Sequence, residues 1–118
     1  MSEYLFAYGT LRPGHVPPEI ASIVAKLRVV GEGLVYGTLY DLGTCPGLVL
    51  DPNSTTKVHG CVYELPEDPE VLRRLDEYEE FDAEAPQTSP FLRQLHAVEL
   101  ANGTKQECWL YVYRGTAG

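Results

Sequence analysis

Apolar and polar residues alternate through most of this chain, and only two short stretches shift to a helical period. Residues 57–65 alternate most clearly. Val58, Gly60, Val62 and Glu64 fall on one side, and His59, Cys61, Tyr63 and Leu65 on the other, which is the two-residue repeat of a strand. Residues 28–42 are rich in β-branched and aromatic side chains, with Gly31 and Gly33 marking a bend or bulge. Residues 4–8 read as a short apolar strand that turns at Gly9-Thr10. Leu48-Val49-Leu50 reads as another, entered through a Pro46-Gly47 turn and left through a second turn over residues 51–54. Residues 91–100 and 106–114 read as two strands joined through Asn102-Gly103, a pair suited to a tight hairpin turn.

The two helical stretches are equally legible. Ile20, Ile23, Val24 and Leu27 share one face over residues 19–27, entered after Pro17-Pro18. Asp68-Pro69 supplies a side-chain cap and then a proline at the first helical position, so a helix is predicted from residue 70 to about residue 80. Residues 82–90 form a polar loop containing Pro86 and Pro90. With few helices and adjacent final strands, the pattern predicts an α+β fold whose largely antiparallel sheet can close into a barrel. No segment reads as a linker, so residues 1–118 are read as a single domain.

The tetrapeptide Tyr-Gly-Thr-Leu occurs at residues 8–11 and again at 36–39. The second copy continues into Tyr40-Asp41-Leu42 with its alternation intact, so its glycine belongs inside a strand. The first runs into Arg12-Pro13-Gly14, where proline removes a backbone donor and the chain must leave the sheet. The same four letters therefore predict two different local structures.

Composition narrows the function classes. Nine basic and seventeen acidic residues leave a net charge of −8, which argues against a nucleic-acid or anionic-membrane partner, since neutralising phosphates takes clustered Lys and Arg. A chain of 118 residues suits a domain with a radius of gyration of roughly 13–14 Å. No apolar run approaches the roughly 18–20 residues of a membrane span. The first residues lack the basic and apolar regions of a signal peptide. Cys45, Cys61 and Cys108 are odd in number and widely spaced, so they predict no disulfide framework, and a reducing cytoplasm is the expected location. Glycine-rich phosphate loops and serine-hydrolase elbows are absent. His15, His59 and His96 stand too far apart to suggest a zinc site. Cys45 has no neighbouring histidine to activate it and reads as a small residue filling a turn.

One carboxylate is misplaced. At about 100° per residue, Val71, Leu72, Leu75 and Tyr78 fall within an arc of roughly 120°, and Glu79 falls inside it, between Leu75 and Leu72. Glu70, Arg73, Arg74, Asp76, Glu77 and Glu80 fall outside and are expected in solvent. Burying a carboxylate is costly unless it is paired or lies in a polar pocket, and burial raises its pKa toward the range useful for proton transfer. The wheel leaves two readings open. Glu79 is an acid/base facing a pocket, or it is a helix-end carboxylate that turns to solvent or pairs with Arg93.

Taken in order, several segments form a larger pattern. They are Tyr8-Gly9-Thr10-Leu11-Arg12-Pro13-Gly14, Leu39-Tyr40-Asp41-Leu42-Gly43 with Pro46-Gly47-Leu48, Val58 through Leu65, Leu75-Asp76-Glu77-Tyr78-Glu79, and Trp109-Leu110-Tyr111-Val112-Tyr113. This series, spanning nearly the whole chain, resembles the gamma-glutamylcyclotransferase-like (AIG2-like) family. The resemblance implies a small mixed β-barrel flanked by two main helices. It also implies cyclisation of a gamma-glutamyl amine or amino acid to 5-oxoproline with release of the amine, without metal or organic cofactor. It assigns substrate binding to Tyr8, Gly9, Thr10 and Leu11, and the acid/base role to Glu79. Backbone N–H groups of the turn at Gly9-Thr10-Leu11 would hold the substrate α-carboxylate or the developing oxyanion.

This chain departs from the family pattern twice. Glu80 stands where the family often has glycine after its catalytic glutamate, and Phe91-Leu92-Arg93 stands for Tyr-x-Arg. The second change removes a phenol that Tyr111 or Tyr113 can replace, unless both are core aromatics. Two other classes of function fit the same residues: a non-catalytic protein that binds a small carboxylate, and an amidase or hydrolase in which Glu79 activates water.

Overall fold

The alternating segments pair into one closed sheet. The computed structural model describes residues 3–8, 16–41, 46–51, 53–79, 81, 84 and 91–113. Its elements are β1 (Glu3–Ala7), α1 (Ala21–Val24), β2 (Arg28–Asp41), β3 (Pro46–Leu50), β4 (Lys57–Leu65), α2 (Pro69–Tyr78), β5 (Phe91–Leu100) and β6 (Lys105–Tyr113). The strands run in the order β3-β2-β4-β1-β6-β5, and a further β2–β5 pairing closes five of them into a barrel, with β3 attached outside on β2. Among the described residues every strand pairing is antiparallel except β1 with β6, which run parallel with Leu5 opposite Trp109. The expected α+β class and mixed, largely antiparallel barrel with two helices are what the chain forms.

Alternation in the strands serves two cores at once. Phe6, Val35, Val58, Val62, Val98, Cys108, Leu110 and Val112 pack together as the barrel interior. The opposite faces of β1, β4 and β6 present Leu5, Cys61, Tyr63 and Tyr111, which α1 and α2 cover with Ile23, Val24, Val71 and Leu75. In β4 the two faces separate as the sequence predicts. Gly60 is where the interior is tightest, since a Cβ there would lie 2.3 Å from the Ala7 carbonyl oxygen and 2.8 Å from the Phe6 ring.

Three expectations need correction. The first helix is a single turn, not the nine-residue stretch that its spacing suggests. Hydrogen bonds three residues apart, from Ile20 N–H to the Pro17 carbonyl and from Leu27 N–H to that of Val24, tighten the chain on both sides of it. Ile20 offers no side-chain cap. Its apolar face is nevertheless buried as the pattern requires. Pro46 and Gly47 open β3 instead of turning before it, pairing with Asp41 and Tyr40, because a strand's first position tolerates a proline without an N–H. Finally, the β2 register slips between Val29 and Gly31 but runs regularly through Gly33. There the glycine provides space: a Cβ would lie 2.7 Å from Val98 Cγ1.

Candidate functional site around Tyr111

The second helix is held at both ends. At its start Asp68 accepts a hydrogen bond from the Glu70 N–H at 3.0 Å, and Pro69 follows at the first helical position. Along its outer face Arg73 bonds Glu70 and Glu77 in an exposed network, the kind of surface pairing that adds little stability. At its end Glu79 is the C-cap, and its N–H bonds to the Leu75 carbonyl at 2.9 Å. The Phe81 N–H then reaches back to the Asp76 carbonyl at 2.9 Å, the six-to-one bond of a Schellman ending. Such endings favour glycine at the position before the last donor, which in this sequence is Glu80. Glu80 itself lies outside the described residues.

Of the residues assigned to the site from sequence, Tyr8 and Glu79 are described, and Gly9, Thr10 and Leu11 lie outside. Tyr8 is bonded to Tyr111 of β6, and Glu79 acts on Tyr111 through its charge. The Tyr8 hydroxyl donates to the Tyr111 backbone carbonyl, joining residues 103 positions apart. Glu79 is half-buried, and its charge acts on the Tyr111 phenol. That phenol is buried and donates to Asp76 Oδ1 at 2.7 Å. Burial, then the charge of Asp76 and its hydrogen bond, then the charge of Glu79 push the Tyr111 pKa far up, and only Arg93 works against them. Tyr111 is therefore held as a protonated donor.

Asp76 is the residue that the wheel misassigned. It was expected in solvent, but its side chain is only 13% exposed and pairs with Arg93, whose Nε lies 2.8 Å from Oδ1. Arg93 is thus the partner of Asp76. Its guanidinium stacks 4.4 Å above the Trp109 ring, with the Phe81 ring 5.7 Å away. The sequence carries a signal for this pair. Arg93 stands two residues after Phe91 in a strand, so it shares the face of a buried aromatic and needs a carboxylate to accompany it. Of the two candidate phenols, Tyr111 is committed to Asp76, and Tyr113 packs on Phe91 with ring centroids 5.7 Å apart.

A groove of about 440 Å³ runs beside the helix, walled by Leu65, Pro66, Val71 and Leu72, and reaches Asp76 and Arg93; neither Glu79 nor Tyr8 lines it. Among the described residues no cluster of three His, Cys, Asp or Glu side chains could hold a metal ion. Cys45 and His15 lie outside the described residues. His59 is exposed on β4, and Cys61 and Cys108 are buried free thiols. No described helix is long and apolar enough to cross a membrane.

The family of gamma-glutamyl cyclotransferase, AIG2-like proteins matches residues 5–118 of the chain. An AIG2-like protein from Mus musculus superposes with a TM-score of 0.76 at 24% identity, covering 98% of this chain and 80% of its own. YkqA from Bacillus subtilis superposes at 0.72 with 23% identity over 98% of this chain, which spans only 37% of YkqA's length. A gamma-glutamyl cyclotransferase superposes at 0.67 with 16% identity, over 98% of this chain and 68% of its own. At such identities the likeness is one of fold. No curated protein matches the sequence.

Proposed function

Because the chain belongs to the gamma-glutamyl cyclotransferase, AIG2-like family, we propose that it cyclises a gamma-glutamyl amine or amino acid to 5-oxoproline, with Glu79 as the acid/base and the segment Tyr8-Gly9-Thr10-Leu11 holding the substrate. The observation that carries this reading is the meeting at Tyr111. Its backbone carbonyl receives the Tyr8 hydroxyl at the entry to the substrate segment, while its phenol lies within the electrostatic reach of Glu79.

The chemistry asks little beyond orientation and proton transfer. The substrate α-ammonium gives a proton to the Glu79 carboxylate, and the freed amine attacks its own γ-carbonyl carbon. A C–N bond forms and closes a five-membered ring. The bond to the leaving nitrogen then breaks as that nitrogen takes up protons. Two protons in all pass from the α-nitrogen to the leaving nitrogen, with Glu79 relaying them, and the amine departs as an ammonium ion. Because attack is intramolecular, holding the folded conformer supplies several kcal/mol, and a positioned acid/base contributes roughly 10²–10⁴-fold.

The test is a panel of gamma-glutamyl amines and amino acids assayed for 5-oxoproline. The native protein is expected to release it from at least one member, and a folded Glu79→Gln variant to lose at least about 100-fold in rate. Full cyclising activity in Glu79→Gln would overturn the assignment. Free glutamate as the product would identify a hydrolase, and binding without turnover a carboxylate-binding protein.

A further inference from the structure

The geometry points to Tyr111 and Asp76 as positioning residues that clasp the end of α2 to the barrel and so set where Glu79 stands relative to the segment that begins at Tyr8. This rests on the cyclotransferase reading for its consequence in catalysis, but not for its geometry.

Four contacts make the clasp. Tyr111 uses both of its polar ends: the backbone carbonyl accepts from Tyr8 at the end of β1, and the phenol donates to Asp76 in the last turn of α2. Asp76 likewise uses both of its own. The carboxylate accepts from Tyr111 and Arg93, and the backbone carbonyl accepts from Phe81 and closes the helix around Glu79. Arg93 is itself pinned by stacking on Trp109 of the same β6 strand. Glu79 lies between the two residues joined by the Phe81–Asp76 bond, three positions after the carboxylate that anchors the turn. The side chains of Asp76 and Arg93 are 13% and 16% exposed, so water competes weakly for these bonds.

The arrangement explains why a costly, largely buried ion pair is built at this point. A pair of this kind is poor evidence for stability, and in some proteins such pairs serve to fix a geometry. Here the geometry fixed is that of a helix end against a strand, with Glu79 on one and Tyr8 bonded to the other. An acid/base must stand within hydrogen-bond reach of its proton, and misplacement by about 1 Å costs on the order of 100-fold. Tyr111 and Asp76 do not transfer the proton. They hold the group that does.

Tyr111→Phe is the sharpest probe, because it deletes the oxygen bonded to Asp76 and leaves the carbonyl bonded to Tyr8. With a gamma-glutamyl substrate turned over by the native protein, kcat is expected to fall at least 10-fold while KM stays within about twofold. Hydrogen exchange at the Glu79 and Phe81 amides should quicken at least 10-fold, while amides of β4 remain protected as before. Asp76→Ala should reproduce both effects. Asp76→Asn, whose amide oxygen accepts from both donors, should recover most of the loss. Native kcat with native exchange in Tyr111→Phe would overturn the proposal, as would equal losses in Asp76→Asn and Asp76→Ala. If the native protein makes no 5-oxoproline, the cyclotransferase reading fails by itself. The exchange at Glu79 and Phe81 in Tyr111→Phe then decides the clasp alone, upholding it if quickened and overturning it if unchanged.

Discussion

Cys108 has no exposed surface and packs inside the barrel with Val98, Leu110 and Val112. Burial pushes its thiol from an ordinary 9.0 up to about 12, so the folded protein keeps a proton that the unfolded chain gives up. The stability linked to this group is fully present below pH 9 and is lost as pH rises from there toward 12, at up to about 1.4 kcal/mol per pH unit. Tyr63, raised by burial and by Cys61 to about 12, adds a second loss that begins near pH 10. Urea midpoints measured from pH 8 to pH 11 should therefore fall. Cys108→Ala should start lower, because it leaves a cavity, yet decline less steeply above pH 9. Equal slopes would show that Cys108 is not the group responsible. Burial of Tyr63 fits the alternation of residues 57–65, which sets it on one face with Cys61 and Leu65. Burial of Asp76 was not readable, because a helical wheel ranks residues by angle and takes no account of what faces the helix. Its wall of Arg93, Trp109 and Tyr111 comes from strands with no local link to α2.

Elements were legible where a local bond or a local exclusion defines them. Asp68 and Pro69 announce the start of α2 because a side-chain oxygen and a missing N–H act within one turn, and the structure has the bond from Glu70 N–H that this implies. Asp68→Ala should cost about 1 kcal/mol, read as a lower urea midpoint with an unchanged slope. A neutral result would mean that packing of Val71 and Leu75 alone holds the helix start. The Asn102-Gly103 hairpin was legible for the same reason: Gly103 has φ 89°, and Asn102 accepts from the Thr104 N–H at 3.0 Å. The first helix was overread because an apolar face with helical spacing can be buried by tight turns as well as by a regular helix. The opening of β3 was misread because proline and glycine punctuate loops and strand starts alike.

At the scale of the whole molecule, closure of the barrel depends on backbone contacts that no local pattern encodes. Gly33 lies opposite Gly60 of β4 and Leu100 of β5, so β2 closes the ring at a residue without a side chain. Gly60 in turn lets β1 approach β4. Gly60→Ala would set a methyl group against rigid backbone and should destabilise the fold by about 3 kcal/mol, with loss of near-ultraviolet circular dichroism at lower urea. A change under about 0.5 kcal/mol would mean that the barrel relaxes more easily than its packing implies. The radius of gyration, 13.5 Å, agrees with what length alone suggests. Among the described residues most acidic side chains are exposed, as with Glu70 and Glu77, while Asp76 and Glu79 near Tyr111 are partly buried.

The parallel pairing of β1 with β6 also governs how the chain must be made. Tyr8 and its partner Tyr111 are 103 positions apart, and at a translation rate of roughly 5–20 residues per second β1 waits roughly 5–20 s for β6 to be synthesised. Throughout that interval one edge of β1 offers unpaired N–H and C=O groups to any extended segment in the neighbourhood. A nascent chain is therefore expected to expose that edge until β6 has been synthesised, and the helix that ends at Glu79 is finished before the wall against which it must lock.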